Sequence, residues 1–233
     1  MTYREIINSV LLRLRESTIA SDWSGDINDS TLTPYQKLVG ELVNDAKKNV
    51  ESYHDWNALR ESFNVKTKSG NMQYTLGDAL RGAGVSFKVT DVINQTTGRV
   101  LQQVTNDWMN EQVFPLANAQ SGEPTSYAFN GISQAGTDRE PDFNIDFYPV
   151  PNSIQTISVN IVGAQSDLKE ADEVLRVPAQ PVILGSWARA IAERGEDGGT
   201  QYSSVAAEAR DSLVQAVQLD AGNFEYERDW YAN

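Results

Sequence analysis

The chain has no cysteine, a single histidine (His54) and only 19 basic residues against 32 acidic ones. Each shortage removes a class of chemistry. Without cysteine there is no disulfide, no thiolate nucleophile and no sulfur-rich zinc site. With one imidazole, any histidine-dependent triad or metal site would have to be built on His54 alone. Apolar runs are only a few residues long, well short of the ~20 that cross a bilayer, so no membrane partner is expected. Met1-Thr2-Tyr3-Arg4-Glu5 offers no apolar core of a signal peptide. A formal net charge of -13 disfavours gripping phosphate backbones through a basic surface. It suits a surface that faces DNA without sticking to it, and equally a merely soluble one.

What is present reads as an α+β protein. Its 233 residues, 40% hydrophobic and 22% charged, suffice for one core or a core with a smaller lobe. Ile6, Ile7, Val10, Leu11 and Leu14 recur at helical spacing, predicting a first helix over Thr2 to Glu16. Ser17 to Leu32 is rich in turn formers and reads as a loop. Thr33, Pro34 and Gln36 form a helix-start signature, a capping residue with proline and glutamine after it. Leu38, Val39, Leu42, Val43, Ala46 and Val50 then make a stripe facing the first helix. Trp56 follows where that helix ends.

From Glu61 the period shortens to two. Phe63, Val65 and Thr67 alternate with polar residues, Ser69-Gly70-Asn71 turns, and Met72 to Leu76 returns, predicting a hairpin. Further strands are expected at Ser86 to Ile93, Arg99 to Val104, Ser126 to Phe129, Phe143 to Tyr148 and Ile154 to Val162. Thr105 to Gln112 reads as a short helix and Ala117 to Pro124 as an exposed loop. Gly131 to Pro141, between two strands, reads as a projecting hairpin tip or arm. After the acidic connector Asp167 to Glu173, Pro181 opens a helix that Gly195 ends, and a last helix runs from Tyr202 to Asp220. The expected organisation is a bundle of N- and C-terminal helices (1–60 and 166–221), a central antiparallel β-rich insertion (61–165) and a tail (222–233).

No constellation signals catalysis. His54 stands beside Asp55 near a helix end, where a structural role is expected. No serine sits in a Gly-x-Ser-x-Gly elbow. Carboxylates are too abundant for a glycosidase pair to be informative. The run Asp138, Glu140, Asp142 and Asp146 lacks the ligand spacing of a calcium loop and reads as a solvated hairpin. Gly195 to Gly199 follows a helix and lacks a lysine, so a helix-to-helix turn fits better than a phosphate loop. Gly82-Ala83-Gly84 lacks the third glycine of a dinucleotide fingerprint. No metal and no cofactor is expected. The tail differs: four aromatics after the last helix, Phe224, Tyr226, Trp230 and Tyr231, have the profile of interface anchors.

Several segments in order resemble the head-to-tail adaptor (connector) proteins of tailed bacteriophages. They are Tyr3 to Glu16, Leu42 to Glu51 running into Asp55-Trp56-Asn57-Ala58-Leu59-Arg60, Ser126 to Gly131, Phe147-Tyr148-Pro149-Val150-Pro151, and Ala188 to Gly199. The resemblance implies a non-enzymatic virion protein in the neck, a dodecameric ring beneath the portal enclosing the DNA channel. It implies attachment to the portal through the C-terminal elements, here Gln201 to Asn233 with Phe224, Tyr226, Trp230 and Tyr231. The other face would meet a tail or nozzle protein, with Gly131, Gln134, Asp138 and Arg139 the expected contacts. DNA would pass without specific binding. The chain departs from the shortest adaptors by a longer β middle. Alternatives are another neck or tail ring such as a terminator, a virion-associated glycan hydrolase, or a carbohydrate-binding β module.

Overall fold

A computed structural model describes residues 1–76, 87–113, 120–133, 142–195 and 200–228. Among these the protein is mixed α+β, with five helices and mainly antiparallel sheets. It divides into two compact units. One joins Met1–Leu59 to Ser166–Asn233; the other is Arg60–Gln165.

In the helical unit, α1 (Tyr3–Arg13) packs on α2 (Pro34–Tyr53) and on α4 (Ala179–Arg194), and α4 packs on both α2 and α5 (Thr200–Arg228). Both N-terminal helices begin as their sequences dictate. Thr33 Oγ1 accepts from Gln36 N at 3.2 Å while Gln36 Oε1 accepts from Thr33 N at 2.9 Å, a reciprocal box, and Thr2 with Glu5 does the same for α1. The core is Tyr3, Ile6, Ile7, Val10 and Leu11 against Val39, Val43, Ala46 and Val50, with Val182, Ile183 and Ala190 from α4. The 17–32 segment is no loose loop, because Ile19, Trp23, Ile27 and Leu32 are all buried. Asn8 holds it by bonding both ways with the backbone of Ile19.

The buried face of α2 is wider than its apolar stripe. Asn44, Lys47 and Glu51 are buried too, facing the strand of chain that re-enters the unit at Ser166. Leu38 and Leu42, expected inside, are only half-buried.

The strand unit stacks two four-stranded sheets, with order β1-β10-β3-β4 and β2-β8-β7-β5. The first comprises β1 (Arg60–Lys66), β10 (Thr156–Gly163), β3 (Phe87–Asn94) and β4 (Arg99–Val100); the second β2 (Gln73–Thr75), β8 (Asp142–Tyr148), β7 (Ser126–Ser133) and β5 (Gln102–Gln103). Val92, Ile157, Val159 and Ile161 of the first meet Tyr127, Ile145 and Phe147 of the second in one core. The short α3 (Asn106–Val113) lies against β7, where Met109 joins Ala128 and Tyr148.

Three expectations change. The hairpin predicted from Phe63 to Leu76 does not form: β1 pairs with β10 and β2 with β8, in different sheets. The turn itself is real, with Gly70 at φ 79°, but Phe63 and Val65 match Val159 and Ile157 in register and that long-range pairing wins. The strand predicted over Arg99 to Val104 splits at buried Leu101, so β4 pairs with β3 while β5 changes sheet to pair with β7. The β-rich part is also not wholly antiparallel, since β5–β7 and β6 (Ser121–Gly122) with β9 (Val150–Pro151) are short parallel pairs.

Candidate assembly surfaces

The C-terminal helix is longer than its periodicity suggests. Predicted to stop at Asp220, it continues to Arg228, so Phe224 and Tyr226 lie on a helix and not in an irregular tail. Trp230 and Tyr231 lie outside the described residues. Over Thr200 to Gly222 the helix buries little: Val205 is buried, Ala206, Ala209, Leu213, Ala216 and Val217 are half-buried, and Leu219 is 77% exposed.

Polar contacts set the direction of this helix within the unit. At one end, Arg194 Nε donates to Tyr35 Oη at 2.7 Å, its guanidinium stacks over the Tyr35 ring, and it pairs with Glu16. The end of α4 therefore meets the start of α2, and Gly195, at φ 64°, turns the chain out of α4. Val205 and Ala206, at the start of α5, pack there with Leu14, Ala188 and Ile191. At the other end, Asp220 reaches the exit of α2. Its Oδ2 lies 3.2 Å from His54 Nε2 and accepts from Asn57 N at 3.2 Å. Thus α5 points in the same direction as α2.

His54 is thus tied to Asp220, 166 residues further along the chain. Its ring also stands edge-on to Trp56, with centroids 5.1 Å apart. Trp56 is buried and donates its Nε1–H to Val50 O at 2.8 Å, fixing the end of α2.

Of the residues expected on the opposite surface, Gly131 alone is described. It lies inside β7 at φ 71°, beside a shift of register between Phe129 and Ile132, and not at a hairpin tip. Gln134, Asp138 and Arg139 fall outside the described residues, as do Glu140, the Gly82-Ala83-Gly84 segment and 196–199. The connection between β7 and β8 does join an antiparallel pair, as expected. The acidic run is not simply solvated, however. Asp146 is only 3% exposed; its Oδ2 accepts from Asn130 Nδ2 at 2.8 Å, and burial raises its pKa above the usual carboxylate range.

The feature least visible in the sequence is a set of buried polar ties along α2. Asn44 bonds the backbone of Leu168 in both directions, Nδ2 to O at 3.0 Å and N to Oδ1 at 2.9 Å. Lys47, fully buried, lies 3.3 Å from Glu51 Oε1 and donates to Ser166 O at 3.0 Å. Desolvation lowers the Lys47 pKa, with Glu51 partly opposing the shift. Lys48 pairs with Asp167 at 2.9 Å. These residues do structural work: they seat the chain where it returns to the helical unit.

Charge is unevenly shared. The helical unit holds 12 Lys and Arg against 22 Asp and Glu, and the strand unit 7 against 10. Among the described residues no three His, Cys, Asp or Glu gather as a metal site would require. No described helix is long and apolar enough to cross a membrane.

Comparison with curated proteins finds no match. A family model described as SU10 adaptor protein, in contrast, matches residues 1–228, which takes in both units and every described element. The chain belongs to the SU10 adaptor protein family, consistent with a phage adaptor-type structural protein.

Proposed function

We propose that the protein is a non-enzymatic head-to-tail adaptor of a phage particle. Copies would close into a ring, with twelve subunits, beneath the portal, extending the DNA channel and offering a platform for the tail. The helices of the first unit would pack as a bundle, and Phe224, Tyr226, Trp230 and Tyr231 would carry the portal contact. The segment containing Gly131, Gln134, Asp138 and Arg139 would face the tail or nozzle protein. The observation that carries this reading is the family match over nearly the whole chain. The charge distribution supports it. A subunit whose helical unit carries ten more acidic than basic residues is poorly suited to hold a passing phosphate backbone, because few cations are available for counterion release. Ring closure by head-to-tail contacts needs two different complementary patches on each copy.

Truncation after Asp220 tests the portal contact. The shortened chain should keep its fold by circular dichroism and lose co-sedimentation with purified portal. Normal portal binding by the truncated chain would remove the C-terminal element from the interface. Negative-stain imaging of the full chain mixed with portal should show a ring added to the portal vertex; a chain that stays monomeric beside portal would refute the adaptor reading.

A further inference from the structure

The geometry points to Asp220 as the positioning residue of the C-terminal element: with His54 and Asn57 it forms a clasp that fixes where α5 leaves the helical unit. We infer that the clasp sets the direction in which the last turns of α5 are presented to a partner. The partner half of this inference rests on the portal contact proposed above; the clasp itself does not.

Helix lengths show why the clasp stands where it does. From Pro34 to Tyr53, α2 has 20 residues, about 30 Å at 1.5 Å per residue. Because α5 starts beside the beginning of α2 and runs the same way, its residue 220 comes level with the end of α2. That is where His54 and Asn57 stand. The helix that α5 packs on is shorter. At 16 residues, α4 gives only about 24 Å of support, so it runs out near Ala216 and Val217. Beyond that point, the Asp220 contacts tie α5 to the rest of its unit. Eight residues, 221 to 228, follow as helix, about 12 Å beyond the end of α2.

The clasp constrains rotation as well as position. One carboxylate oxygen meets a side-chain nitrogen, His54 Nε2, and a backbone nitrogen, Asn57 N, while Asn57 Nδ2 donates to the Asp220 carbonyl at 3.5 Å. These three contacts reach both the side chain and the main chain of one helical residue, so α5 cannot turn about its axis without breaking them. The acceptors and donors are themselves held. His54 rests against Trp56, and Trp56 is tied to Val50. Two residues past the clasp, Gly222 has open space where a side chain would be. A glycine inside a helix weakens it locally, so the direction of the following turns depends on what is fixed just before it.

Hydrogen exchange on the full chain, with Asp220→Ala and Asp220→Asn variants, tests this. Alanine is the better helix former, so a purely local effect predicts slower exchange at residues 221 to 228. The clasp predicts the opposite: about tenfold faster exchange there in Asp220→Ala, with α1 and α2 amides unchanged. Asparagine keeps an oxygen that can accept from both His54 and Asn57, and should restore protection to within about threefold. In parallel, portal affinity should fall about tenfold for Asp220→Ala, a loss of about 1.4 kcal/mol by the affinity relation, and recover in Asp220→Asn. Unchanged or slower exchange in Asp220→Ala overturns the clasp. Faster exchange with full portal affinity, in a protein whose truncation after Asp220 abolishes binding, overturns the positioning role while leaving the portal contact standing. Full binding by the truncated chain refutes the portal contact, and the exchange result then decides the clasp alone.

Discussion

Replacing Lys47 with methionine should destabilise the helical unit far more than replacing Lys47 and Glu51 together. Lys47 Nζ lies 3.3 Å and 3.4 Å from the two Glu51 oxygens and 3.0 Å from Ser166 O, and both charged residues are buried. At an effective dielectric of about 20, two charges at that spacing attract by roughly 5 kcal/mol. Removing each from water costs several kcal/mol, so the intact pair contributes little net stability. Losing one partner is different. Lys47→Met keeps the aliphatic volume but leaves the Glu51 carboxylate buried without this counter-charge, and Ser166 O without this donor. The expected cost is about 3–5 kcal/mol, which for a chain of this size lowers Tm by on the order of 10 °C.

The double variant Lys47→Met/Glu51→Leu removes both charges and leaves chiefly the Ser166 carbonyl to be satisfied, at about 1–2 kcal/mol. Urea unfolding followed by circular dichroism, with scanning calorimetry on the same samples, measures all three proteins. The coupling between the two positions should exceed about 2 kcal/mol. A single variant that loses under about 1 kcal/mol, or a double variant less stable than the single, would refute the view that α2 holds a buried ion pair at the chain's re-entry.

Two further outcomes follow from close packing and burial. Gly40→Ala should cost about 1–3 kcal/mol in thermal unfolding, because the added methyl group would come 2.6 Å from Tyr3 Oη and 2.7 Å from Ile27 Cδ1, both in the core. A variant as stable as the parent would show that α1 and α2 are less closely packed than described. Asp146 carries a pKa raised by burial; the folded state therefore binds its proton more readily than the unfolded chain. Its contribution is fully present below the ordinary value of 3.8 and is lost as pH rises through the raised folded value. Asp146→Asn, which keeps an acceptor for Asn130, should flatten that part of the stability–pH curve and leave the protein at least as stable at neutral pH. Pronounced destabilisation at neutral pH would mean that the carboxylate is needed in its charged form.

Local signals in the sequence were reliable where the physics is local. The Thr33-Pro34-Gln36 start of α2 and the Gly195 end of α4 are decided by groups within four residues of each other, and both form as written. The signals misled where a distant partner decides. The Ser69-Gly70-Asn71 turn suggests a hairpin, yet β1 finds its partner about 95 residues away because Phe63 and Val65 must join the same core as Val159 and Ile157. Nothing local marks Lys47 and Glu51 as buried; the return of Ser166 to Leu168 against that face of α2 is what buries them. Asp220 likewise reads as the end of a helix until His54, 166 residues earlier, is seen to stop beside it. The acidic excess was legible, but its concentration in the helical unit required knowing which segments fold together.

The polar ties also fix where the chain leaves the helical unit and where it returns. The chain leaves the helical unit after Trp56, which is fixed to α2 through Val50, and returns at Ser166 to Leu168, which Lys47 and Asn44 fix to the same helix. Positions 44 to 56 of one helix and its exit span only about 18 Å. Both crossings are thus set by the C-terminal half of α2, whatever lies between them. Lengthening the segment from Arg60 to Gln165 changes neither anchor, and the entropy of closing a longer connection grows only with the logarithm of its length.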